Sequence, residues 1–125
     1  MHENDISYIA RKGIFSIYNS LGPGLFESVY LSALCYELQQ LGLQVKREVP
    51  LPMVYKEIKF DAGFRIDLIV ENKVIIEIKS IESLCEVHHK QILTYLKLSG
   101  LKLGLLVNFN TDDIAHSIIR KVNRL

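Results

Sequence analysis

The chain has no surplus of either charge: 15 Lys and Arg stand against 14 Asp and Glu, a net +1 over 125 residues. Binding of a polyanion through bulk charge is therefore excluded, and any nucleic-acid contact must come from local basic clusters. Cysteine is scarce. Cys35 and Cys85 form no C-x-x-C pair and fall in apolar or helical surroundings, so both read as buried free thiols rather than as a disulfide or a catalytic thiol. His88 and His89 have no second His or Cys set at zinc-ligand spacing, which argues against a zinc centre. His2 and His116 carry no signal. No apolar run of transmembrane length and no signal-like segment is seen, so the expectation is a cytoplasmic protein without membrane contact. Repeats, low-complexity tracts and linkers are also lacking, and residues 1–125 are expected to form a single domain able to bury a real core. With 49% hydrophobic residues, disorder is excluded as well.

What the sequence does contain is concentrated in RIDLIVENKVIIEIK, from Arg65 to Lys79. Folded as a hairpin about Asn72, it sets Asp67 opposite Glu77 and Arg65 opposite Lys79. Side chains alternate along a strand, so Ile66, Leu68, Val70, Val74, Ile76 and Ile78 are expected to share the other, apolar face. Like charges directly opposed across strands destabilise a sheet, so the acid pair needs a compensating partner. A divalent cation with Lys79 beside it would serve. The plainer alternative is a solvated ladder in which Arg65 and Lys79 simply pair with the acids. Ile69 and Ile75 on the acids' own face imply that this face is at least partly covered, where unpaired carboxylates are costly.

Around the hairpin, apolar spacing predicts a helix from about Asp5, its N-cap, to Leu21. A second helix follows Leu21-Gly22-Pro23-Gly24 and runs to about Leu41, with Leu25, Phe26, Val29, Leu34 and Leu38 as its apolar stripe. Residues 44–57 read as one or two short edge strands broken by Pro50 and Pro52, followed by strands at 58–70 and 73–80. A third helix is expected from Glu86 to Ser99. Leu103 to Phe109 reads as a strand covered on both faces, and a last helix is expected from Asp112 to Val122, capped by Thr111. The fold class is therefore α/β, a mixed sheet flanked by helices in the order ααβββαβα.

Other residues are candidates by position. Glu27 lies in the first turn of the second helix, where a carboxylate suits the helix dipole but could also reach a cation, with Tyr30 on the same face. Gln91 and Tyr95 are four apart on the third helix with His88 one turn earlier; they read either as ligands of water and phosphate or as an ordinary solvated face. Hard cations such as Mg²⁺ take one or two carboxylates with water and phosphate, acidify water and offset charge on phosphate, and a nearby lysine adds electrostatic support. Lys46, Arg47, Lys56, Lys59, Arg65, Lys90 and Lys97 could form a basic rim, though solvation explains each as well.

An acid on the first strand of a hairpin, Glu-x-Lys on the second, a preceding helix with Glu27 and a following Gln-x-x-x-Tyr helix together resemble the PD-(D/E)xK nuclease superfamily. More narrowly, Gly24, Glu27 and Tyr30, with LGPGLFESVY, REVPLPMVYK, FRIDLIVENKVIIEIKS, VHHKQILTYLKLSG and GLLVNFN, resemble the GxxExxY proteins. The resemblance covers about Ile6 to Val122. Ile66 stands where the superfamily's name places proline. The resemblance implies a restriction-endonuclease-like core in which Asp67, Glu77 and the main-chain carbonyl of Ile78 bind Mg²⁺ or Mn²⁺, joined by Glu27. Lys79 would assist the water and Gln91 would support the site, with Tyr30, Arg65, His88 and Tyr95 in supporting or substrate-facing places. The expectation is a Mg²⁺-dependent nuclease acting on DNA, with RNA the second choice. The competing reading is a non-catalytic module that keeps the acids to hold a nucleic acid or protein; a remoter one is an enzyme for non-nucleic substrates. The loops are short, so a homodimer or a larger complex would supply further substrate-reading surface.

Overall fold

A computed structural model describes residues 1–125. Its elements are α1 (Glu3–Leu21), α2 (Glu27–Gln40), β1 (Val45–Pro50), β2 (Met53–Tyr55), β3 (Ile58–Phe60), β4 (Arg65–Val70), β5 (Val74–Lys79), α3 (Glu86–Ser99), β6 (Leu103–Asn108), a 3-10 turn (Ile114–His116) and β7 (Ile118–Val122). Five strands form one sheet in the order β1-β4-β5-β6-β7, while β2 and β3 pair as a separate ribbon. β5 and β6 run parallel, joined by the α3 crossover, and every other neighbouring pair is antiparallel. No helix is long and apolar enough to cross a membrane.

The sheet is covered on both sides. One side packs against α1 and α2 in a core that includes Ile6, Ile14, Tyr30, Leu34, Leu68, Ile76 and Phe109. The other packs against α3 through Leu51, Ile66, Ile75, Ile92, Tyr95, Leu96 and Leu106. The central strands β5 and β6 are accordingly buried on both faces, as parallel strands require. α3 lies close on the sheet because Gly104 has no side chain: a Cβ there would stand 2.8 Å from Ile92 Cδ1.

The expected mixed sheet flanked by helices is present, with corrections. The segment expected as a final helix is a single 3-10 turn followed by β7, which pairs with β6 from Leu103↔Val122 to Val107↔Ile118. The buried β6 would otherwise expose a row of unpaired main-chain groups. Thr111, Asp113 and Ser117 also bond one another locally, and such bonds favour a turn over a helix. The strand expected over 58–70 is two: Asp61 accepts from the Gly63 N–H at 2.8 Å and turns the chain between β3 and β4. α1 starts earlier than expected, capped by His2 rather than Asp5. The α2 stripe is Tyr30, Leu31, Leu34, Cys35 and Leu38, leaving Leu25, Phe26 and Val29 exposed, because the helix begins only at Glu27. Ile66 belongs to the α3-side core rather than to the face of Leu68. Cys35 is a buried free thiol as expected, but Cys85 is exposed, at the N-cap of α3.

Candidate active site

The β4–β5 hairpin pairs with the expected register, Val70↔Val74, Ile69↔Ile75 and Leu68↔Ile76. Glu71 and Asn72 adopt left-handed backbone angles (φ 54° and 56°), as a tight turn between twisted strands demands. One residue beyond Leu68 the regular ladder gives way to side chains. The Asp67 N–H donates to Glu77 Oε1 at 3.1 Å, and the Ile78 N–H donates to Asp67 Oδ2 at 2.7 Å. Each carboxylate thus caps the opposite strand, and the second oxygen of each has no main-chain donor.

Both acids are withdrawn from water. Glu77 is 3% exposed and Asp67 is half-buried. Burial pushes the Glu77 carboxyl up to about 9, helped by the Asp67 charge beside it and opposed by the Asp67 N–H and the Lys79 ammonium. Burial likewise raises Asp67, against the Ile78 N–H, Glu77 and Lys79, while the Glu27 charge raises it further. Glu77 is the more deeply buried of the two, so it is the one that holds a proton, as burial and crowding of like charges require. Lys79 is half-buried, its Nζ 3.5 Å from Gln91 Oε1. Burial first, then the Glu77 and Asp67 charges, raise the Tyr95 phenol, with Gln91 opposing. Its ring meets Phe64 edge-on at 5.9 Å.

Glu27 reaches this end of the hairpin from another layer. Its Oε2 accepts from the Ser80 N–H at 3.2 Å, and the Ser80 hydroxyl donates to the Leu25 carbonyl at 2.5 Å. Tyr30 holds the preceding turn: its hydroxyl donates to the Gly22 carbonyl at 2.5 Å and accepts from the Leu25 N–H at 3.2 Å. Its ring stacks on Phe109 with centroids 4.3 Å apart, and the Phe109 N–H donates to the Lys79 carbonyl at 2.9 Å. The start of α2 and the end of β5 are thereby one unit. A cavity of about 200 Å³ opens between them, lined by Glu27, Ser28, Leu31, Glu48, Asp67 and Ile78.

Of the residues singled out in the sequence, Asp67 and Glu77 cap each other's strands, Lys79 bonds Gln91, Tyr95 lies in the α3-side core, and Glu27 and Ile78 share the cavity with Asp67. No three Asp, Glu, His or Cys side chains close into a tight metal-holding cluster. Tyr30 is buried beneath the site and does not face the cavity. Arg65 is forked onto Asp61 at 3.1 Å through both terminal nitrogens. His88 accepts from the Cys85 N–H at 2.9 Å and caps α3. Three residues were missed. Ser80 ties Glu27 to β5; its place directly after Glu-x-Lys was the available signal. Phe109 ends the apolar run and backs Tyr30. Glu48 lines the cavity opposite Asp67, with left-handed backbone (φ 52°) inside a strand; only the β1–β4 pairing, numbers summing to 115, brings it there, and no sequence signal marked it.

A mixed five-stranded sheet between helices, with an acid on one hairpin strand and Glu-x-Lys on the next, defines a restriction-endonuclease-like domain. A family model described as the PD-(D/E)XK nuclease superfamily matches residues 4–122, and the chain belongs to that superfamily. Membership implies nuclease chemistry on a nucleic-acid substrate, and nucleases of the superfamily generally use divalent metal ions. No curated protein and no solved structure matches the chain significantly.

Proposed function

We propose that the protein is a Mg²⁺-dependent (or Mn²⁺-dependent) nuclease that hydrolyses phosphodiester bonds of DNA, RNA being the second choice, as a cytoplasmic single-domain enzyme of the GxxExxY type. The observation that carries this reading is the cross-capped acid pair: two carboxyl groups forced together in a half-dry place, each with an oxygen left over, and a lysine alongside. The donor set suits a hard cation, because Mg²⁺ needs only one or two carboxylates and retains waters of its own. Asp67, Glu77 and the Ile78 carbonyl would hold it, with Glu27 directly or through water. A bound divalent ion supplies positive charge to a phosphate and acidifies a water.

The remaining chemistry falls to side chains. The Lys79 ammonium, kept in place by Gln91, faces the region where negative charge grows on a phosphate, and a fixed charge there costs no reorganisation during reaction. Gln91 stands on α3, so the lysine is oriented from that helix. Glu27 sits across the cavity, able to direct a water toward the scissile phosphate.

A second reading has its own support. The acids are already satisfied by the N–H groups of Asp67 and Ile78, and no buried polar side-chain atom lacks a partner, so a non-catalytic binding module could keep the same arrangement. The two separate on one experiment. With Mg²⁺ or Mn²⁺ the protein should nick plasmid or cut branched or single-stranded DNA, EDTA should stop it, and Glu77→Ala or Lys79→Ala should slow it by roughly a hundredfold or more with an unchanged far-UV spectrum. Inertness of the wild type across DNA and RNA panels would leave the binding module standing.

A further inference from the structure

The ribbon of β2 and β3 belongs to neither core. Its register, Met53↔Phe60, Val54↔Lys59 and Tyr55↔Ile58, puts Met53, Tyr55, Ile58 and Phe60 on one face, because opposed residues of an antiparallel pair point the same way. Three of these are open to solvent: Tyr55 is 63% exposed, Ile58 65% and Phe60 47%. A two-stranded ribbon is marginal alone in water, so an outward apolar face there is a cost without a use in folding.

Its position suggests the use. The β1–β4 ladder ends at Pro50↔Arg65, roughly 7 Å past Asp67 at about 3.3 Å per residue, and the chains leaving that end carry the ribbon. It therefore extends from the end of the sheet that holds the acids. Lys56, at the tip, has its Nζ 5.5 Å from the centroid of the Tyr55 ring, and Lys59 stands on the opposite face. The nearby acids are Glu57 in the turn and Asp61, and Asp61 is occupied by Arg65.

We infer that the β2–β3 ribbon is a binding arm for unpaired nucleic-acid strand, with bases stacked on Tyr55 and Phe60 and phosphates beside Lys56. This rests on the nuclease reading for its substrate and adds the class: a strand whose bases are out of the duplex. Flat aromatic faces next to cations take any base, but only one freed from its neighbours. A second copy of the chain fits less well. Two-fold pairing along β3, whose central residue is Lys59, would set lysine against lysine.

Fluorescence anisotropy with a labelled oligothymidylate and a blunt duplex of equal length, in Ca²⁺, tests it. The wild type should bind the single strand more tightly. Tyr55→Ala and Phe60→Ala should each weaken that binding about tenfold or more, and Lys56→Gln should lower the salt slope by roughly one. Both ring positions are exposed, so thermal stability should hold. Unchanged affinity in the two ring variants, equal affinity for duplex, or a wild-type dimer that Tyr55→Ala dissociates would each overturn the inference. Ring variants that bind and cut like the wild type defeat the arm while the nuclease reading stands. A wild type that binds through the rings yet cuts nothing supports the arm and defeats the nuclease reading.

Discussion

The two ends of the β4–β5 hairpin are built from the same strands and obey different rules. At the closed end, Val70, Val74, Ile76 and Leu68 are fully buried among α1 and α2 residues and the main-chain ladder is regular. At the open end the ladder is replaced by carboxylates that cap N–H groups and repel one another. The closed end lowers free energy with apolar burial. The open end holds buried charge that stability alone would not select, and the closed end is what makes that tolerable.

Adjacent positions separate the two roles. Ile76→Ala, at the closed end, should cost roughly 2–5 kcal/mol, read by urea denaturation. Glu77→Gln, one residue on, keeps an acceptor for the Asp67 N–H and takes up no proton on folding, so in EDTA at neutral pH the variant should match or exceed the wild type. A large loss there would mean that the Glu77 charge is structural.

The pH dependence sharpens the same contrast. The folded Glu77 carboxyl lies at about 9 against an ordinary 4.5, so the native state holds a proton that the unfolded chain gives up. Metal-free stability should therefore fall as pH rises between about 4.5 and 9, while Glu77→Gln should lack this contribution. Denaturation in EDTA at steps across that window checks it; equal slopes for the two proteins would contradict the burial argument.

Smaller effects are expected in the supports. Tyr30→Phe removes the hydroxyl that bonds Gly22 and Leu25 and should cost about 1 kcal/mol; if that turn positions Glu27, cleavage should fall more than stability does. His88→Ala, which deletes an α3 cap, should cost about 1 kcal/mol or less and leave cleavage nearly unchanged. A large catalytic loss would instead bring His88 back toward the substrate.

The hairpin was legible because two local signals agree there: alternation set the buried faces, and Asn72 marked the turn. Gln91 and Tyr95 were legible through four-residue helical spacing. Local patterns misled where tertiary demand took over. Ile118, Ile119 and Val122 suit a helix or a strand, and only the open edge of β6 decides between them. Leu25, Phe26 and Val29 looked like a core stripe, yet the turn held by Tyr30 delays the helix to Glu27 and turns them outward. Ile66 left its expected face near Asp67, where the hairpin's regular pairing stops.

By itself, then, the amino-acid order determined the α/β class and the hairpin register from Leu68↔Ile76 to Val70↔Val74, since these depend on spacing within a few residues. Which acids share a cavity, that Ser80 and Phe109 join α2 to β5, and that Glu48 looks onto Asp67 were decided only in three dimensions. Those relations depend on how separate layers pack, and no local periodicity encodes the distance between residues that are fifty positions apart.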